Sequence, residues 1–184
     1  MLTYYKNGWQ YTTALMITIE AGFLNDPVDF PGMMHVGEHM MFSGTKQYNG
    51  RELQERFSRY FKEFEAQTSR EKVKLFCYFD TSDFDVVVDT LHKMIFDWHC
   101  RSSDFPGEKK DFVNEARVYQ GSFFQKRWQA LQQLMPTLGH DGIGNLSRLM
   151  RVQYKDIKKI KQEWDRIVGT TSRHVLGLSG AIKK

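Results

Sequence analysis

One pentapeptide constrains this chain more than any other feature: His35-Val36-Gly37-Glu38-His39. Two histidines four residues apart meet only if the segment is helical, because one turn then stacks them on the same face. Met34, Glu38 and Met41 are good helix formers, and Phe30-Pro31-Gly32 before and Gly44-Thr45 after supply natural boundaries. The spacing predicts a helix from Met33 to about Ser43. Two neutral imidazoles so placed can share one zinc ion. Glu38 falls on the same side, within reach of a proton on a zinc-bound water. His92, His99, His140 and His174 have no partner at ligand spacing, so they read as surface or satisfied core histidines. The Met33-Met34 and Met40-Met41 pairs read as core packing rather than a copper site.

The rest of the chain must build a fold that holds this helix. Thr12 to Ala21 is rich in β-branched and apolar residues and reads as a strand closing at Ala21-Gly22. Lys72 to Asp80 alternates, with Val73, Leu75, Cys77 and Phe79 on one face, so it reads as a half-buried strand. His174 to Ile182 is a last strand candidate. Glu52 to Glu65 carries Leu53, Phe57, Tyr60, Phe61 and Phe64 on one helical stripe and reads as a second helix. Ser82-Asp83 opens a helix through Val86, Leu91, Met94, Ile95 and Trp98. Pro106-Gly107 opens a long one from Glu108 to about Leu134, a loop follows at Gly139 to Gly144, and Tyr154 to Ile167 is helical. Strands mixed with separated helices, without strict βαβ alternation, predict an α+β fold: a mainly antiparallel sheet packed against helices on one face. A length of 184 residues suits a single domain, 1–184.

Composition excludes several classes. The formal charge of +4 is mild, and basic residues often sit beside acids, as in Glu108-Lys109-Lys110-Asp111, so no nucleic-acid footprint is expected. The basic run Lys155, Lys158, Lys159 and Lys161 reads as a solvated face. No apolar run is long enough to span a bilayer, and Met1 to Gln10 lacks the apolar region of a signal peptide. Cys77 and Cys100 do not make a disulfide framework. The expectation is an intracellular, cytoplasmic protein in a reducing compartment, with no membrane partner.

A catalytic zinc needs a third protein ligand and an open position. Glu115, on the helix opened by Pro106-Gly107, is the candidate. Glu108, seven residues earlier, lies two turns back on the same face. It is placed to hydrogen-bond a ligating histidine, to position substrate, or simply to favour the helix dipole.

These residues together resemble the N-terminal catalytic domain of the insulinase (pitrilysin-like, M16) zinc metallopeptidases, whose HxxEH signature inverts that of other zinc peptidases. The likeness extends from Gly22 to Asp26, through Gly32 to His35 and His39 to Thr45, to Ala66-Gln67-Thr68-Ser69, where Glu65 stands at a position in which Asn is common. Glu115 follows His39 by 76 positions, about where that family places its third ligand. The resemblance implies zinc held by His35, His39 and Glu115, with Glu38 and Glu108 in catalytic roles. It implies an endopeptidase in which Glu38, as general base, activates a water on zinc, and in which a peptide substrate adds as a strand to a sheet edge. Family members pair two homologous halves around a chamber, and this chain has length for one. A second M16-like half, or a homo-oligomer, is therefore the expected partner. The competing reading is a catalytically weak or inactive binding or assembly subunit that keeps the fold.

Overall fold

The computed structural model describes residues 2–6, 11–122, 127, 130, 131, 134, 143 and 146–179. A five-stranded sheet is built from β1 (Leu2–Lys6), β2 (Thr12–Ile19), β3 (Glu63–Thr68), β4 (Val73–Asp80) and β5 (Arg173–Ser179), in the order β1-β5-β2-β4-β3. The four strands from β5 to β3 are antiparallel, and β1 joins β5 in parallel. The described helices are α1 (Met33–Phe42), α2 (Gly50–Tyr60), α3 (Phe84–Phe96), α4 (Phe105–Gly121), α5 (Leu146–Arg151) and α6 (Ile157–Thr170). The α+β architecture expected from the patterning is thus present.

Alternation sets the layers. Leu15 and Ile19 of β2, with Val73, Leu75, Cys77 and Phe79 of β4, are buried and form one core with Met34 of α1, Leu91 of α3 and Trp164 and Ile167 of α6. The β4 residues between them, Lys74 and Tyr78, are exposed on the opposite face. Helices therefore cover one side of the sheet, and α1 lies among β3, α3, α4 and α6.

The aromatic stripe from Leu53 to Phe64 misleads about one boundary. Helix α2 stops at Tyr60, Phe61 is already extended, and Phe64 belongs to β3. A spacing of three to four residues fits a helix, but Glu63 to Thr68 also alternates, with Phe64, Ala66 and Thr68 turned inward. Pairing of Glu63–Thr68 with Tyr78–Val73 satisfies that backbone in the sheet and wins. Phe64 still packs with Phe42, Phe57 and Phe61, so the stripe is one cluster across three elements. Helix α2 starts earlier than its apolar pattern shows, because Asn49 and Glu52 cap it reciprocally at 2.9 and 2.8 Å.

Helix α3 ends at Phe96, and Trp98 is buried from the segment beyond it, bridging to Thr45. Helix α4 begins at Phe105, with Pro106 in its first turn. The helix does not run unbroken to Leu134 as expected: it stops at Gly121, where Ser122 is extended and its amide donates to the Tyr119 carbonyl at 2.9 Å, closing the last turn. Most of residues 123–134, the loop 139–144 and the end of the last strand at 180–182 lie outside the described residues. No helix among the described residues is long and apolar enough to cross a membrane.

Candidate metal centre

Helix α1 enters through Gly32, whose φ of 95° is left-handed and open to glycine at little cost. Its first turn is held from outside the helix. Asp26 accepts from the Gly32 amide at 2.6 Å and from the Met34 amide at 2.7 Å, occupying donors that a helix N-terminus leaves free. Burial pushes the Asp26 carboxyl up to about 7, despite the opposing pull of those two amides. After Ser43 the chain turns at Gly44, where φ is 132°. All of α1 from Met33 to Met41 except His39 is buried.

The two histidines of α1 face Glu115 of α4. His39 Nε2 lies 3.2 Å from His35 Nε2 and 3.1 Å from Glu115 Oε2, and the third edge, His35 Nε2 to Glu115 Oε2, is 3.3 Å. Zinc bound at about 2.1 Å in a tetrahedron sets its ligands roughly 3.4 Å apart, so the triangle matches one face of that tetrahedron. Two imidazole lone pairs aimed at each other across 3.2 Å repel unless a cation or proton lies between them. The donor set of two histidines and one carboxylate is one that zinc uses in catalytic sites, with a fourth position open. Side-chain exposure rises from 2% at His35 to 16% at His39 and 54% at Glu115, so the cluster opens to solvent on the α4 side. Among the described residues this is the group of histidines and acids able to hold a metal ion.

Charge around the cluster is strongly coupled. Hydrogen bonding to His35 and then His39 holds Glu115 well below the usual carboxylate range, against its partial burial. Burial lowers the His39 pKa, but the Glu115 hydrogen bond and the charges of Glu38, Glu115 and Glu108 together carry it above its ordinary value. Glu108 is pushed up to about 7, chiefly by burial, with His39 opposing and Asp111 and Asp104 reinforcing. No hydrogen bond joins Glu108 to His35 or His39 among the described residues, so its expected link to a histidine is not the geometry seen. His35 Nδ1 is buried and lacks a hydrogen-bond partner there.

Glu38 is 8% exposed and accepts a 2.9 Å hydrogen bond from Thr68 Oγ1 of β3. Thr68 carries no local signal of this role, because nothing in the sequence ties it to a residue 30 positions earlier. The capping by Asp26 is likewise missed. Asp26-Pro27 reads as a loop signal, and its carboxylate acts across six and eight residues rather than at the usual cap position.

A family model described as insulinase (peptidase family M16) matches residues 4–136. No curated protein matches the sequence. The fold is similar to that of the periplasmic protease PqqL from Escherichia coli, with a TM-score of 0.83 and 18% identity over 99% of this chain and 21% of that one. The first half of the same protease gives 0.84 at 18% identity, over 99% of this chain and 41% of that one. A protease from Helicobacter pylori gives 0.77 at 16% identity, over 99% and 44%. The chain thus spans less than half the length of each of these structures.

Proposed function

The chain belongs to the insulinase family of peptidases, family M16, and from that premise we propose that it is a zinc-dependent endopeptidase centred on His35, His39 and Glu115. The observation that carries the reading is the triangle of Nε2, Nε2 and Oε2 atoms, which presents three ligands and leaves one side open. Zinc held there would polarise the scissile carbonyl and lower the pKa of its water. Glu38 takes the proton of the attacking water and returns it to the leaving amine. The Thr68 hydroxyl donates to Glu38 Oε2 and so would hold the rotamer of the base. Glu108, half-buried, with its pKa raised to about 7 and within the electrostatic reach of His39, would position substrate.

Strand β3 ends the sheet and carries Thr68, so a peptide pairing with its outer edge would pass close to Glu38. Such recognition reads the peptide backbone, so side-chain preference would be broad. The match to only part of each longer protease supports a further reading, that a second M16-like half, or another copy of this chain, completes the chamber. That half would exclude water and add contacts that fix the substrate. The thiols of Cys77 and Cys100 are buried and free, and burial pushes them up to about 12 and about 11, so they stay protonated and take no part in this chemistry.

The test compares peptide hydrolysis by the wild type and Glu38→Gln, each with and without a second half. The wild type alone is expected to hydrolyse peptides slowly and to accelerate with the partner. Glu38→Gln should lose at least about a hundredfold in kcat while keeping its zinc. Hydrolysis that survives Glu38→Gln would place the chemistry elsewhere. Zinc binding without hydrolysis under both conditions would instead favour a binding or assembly subunit.

A further inference from the structure

Gly37 sits two residues from each histidine, about 200° around the helix, so it occupies the back of α1 directly behind the metal face. Glycine in mid-helix costs about 1 kcal/mol relative to alanine, and Gly37 has an ordinary helical φ, so backbone freedom does not explain it. Close approach does. A Cβ at position 37 would lie 2.4 Å from Trp164 Cε3, 3.0 Å from Cζ3 and 3.3 Å from Cδ2. The six-membered ring of the Trp164 indole therefore rests on the bare backbone of the HxxEH segment. Trp164 cannot easily yield. It is fully buried, and its Nε1 donates to the Ile95 carbonyl at 2.9 Å, near the end of α3. In front of α1 stands α4, with Glu115 against both histidines and Phe112 edge-on to His39 at 5.9 Å between ring centroids.

Helix α1 is thus held between an indole behind and the third ligand in front. We propose that Trp164 is a positioning residue for the metal centre: seated on Gly37, it fixes the depth of α1 and so the distances from His35 and His39 to Glu115. The inference rests on the reading of those three residues as a metal site. Removing the ring opens a cavity behind α1, and packed interiors relax partly into such spaces. Even a few tenths of an ångström of retreat would widen a ligand triangle whose edges are 3.1–3.3 Å. Adding a methyl at Gly37 pushes on the same contact from the other side. Moving the volume from one helix to the other should restore it.

The experiment uses the whole chain, stripped of metal, and reads three quantities. These are zinc affinity by competition with a chromophoric chelator, the visible absorption bands of the Co2+-loaded protein, and metal-free thermal stability. Trp164→Ala and Gly37→Ala are expected to weaken zinc binding by about tenfold or more, as loss of a group supporting the ligands does, and to shift or weaken the Co2+ bands. Trp164→Phe should fall between these and the wild type. The double variant Gly37→Leu/Trp164→Ala, which returns most of the lost volume from the other side, should bind within about threefold of the wild type and recover its Co2+ spectrum. A purely structural role predicts lower melting temperatures with wild-type affinity and spectrum in the folded protein, and that result overturns the proposal. If Trp164→Ala does not fold, Trp164→Phe decides: wild-type affinity and spectrum there overturn it, and a partial loss supports it. A wild type that binds neither Zn2+ nor Co2+ would instead sink the metal-site reading itself.

Discussion

At the scale of single residues, spacing reveals candidate ligands better than it reveals the groups around them. His35, Glu38 and His39 announce themselves because a helix is the only regular way to bring them together. Glu115 is found only through its distance from His39 in a resembled family, since one acid on a charged helix carries no local mark. Glu108 shows what the sequence cannot supply, because its burial raises its pKa from the ordinary carboxylate value to about 7. In the unfolded chain it titrates near 4.5, so between pH 4.5 and 7 the folded state holds the extra proton. The stabilising contribution of protonated Glu108 is full below 4.5 and is lost as pH rises through 7. Urea melts of the metal-free chain at pH 5 and pH 8 should therefore show a fall in stability that Glu108→Gln reduces. An unchanged fall in the variant would mean that Glu108 is not the buried group in question.

At the scale of elements, strands with strict alternation and a buried face are legible, and boundaries decided by pairing are not. Val73 to Phe79 is readable because every second residue enters the core. The end of α2 is not, because the stripe Phe57, Phe61 and Phe64 suits both a helix and the aromatic cluster that spans α1, α2 and β3. Only β4, which follows β3 in sequence, settles the matter by pairing with it. Helix α1 depends on a similar non-local support in Asp26, whose carboxylate accepts from the Gly32 and Met34 amides at its first turn. Asp26→Ala leaves those amides without their acceptor and should cost about 1–2 kcal/mol in urea or thermal unfolding. It should also weaken metal binding, since the turn it secures leads straight into His35. Unchanged stability and affinity would show that solvent serves the Gly32 and Met34 amides equally well.

At the scale of the whole molecule, the α+β plan and the placing of helices on one face follow from patterning, whereas the parallel β1 at the edge of the sheet does not. β1 is recognisable only once β5, near the other end of the chain, is beside it. A separate long-range contact, α4 against α1, turns a motif on one helix into a cluster on two. This convergence is the centre of the account, and zinc content tests it most directly. The measurement is elemental analysis of purified wild type, Glu38→Gln, His39→Ala and Glu115→Ala after equilibration with Zn2+ and removal of the excess. One zinc per chain is expected in the wild type and in Glu38→Gln, and little or none in His39→Ala and Glu115→Ala. Full zinc in His39→Ala, or none in the folded wild type, would contradict it.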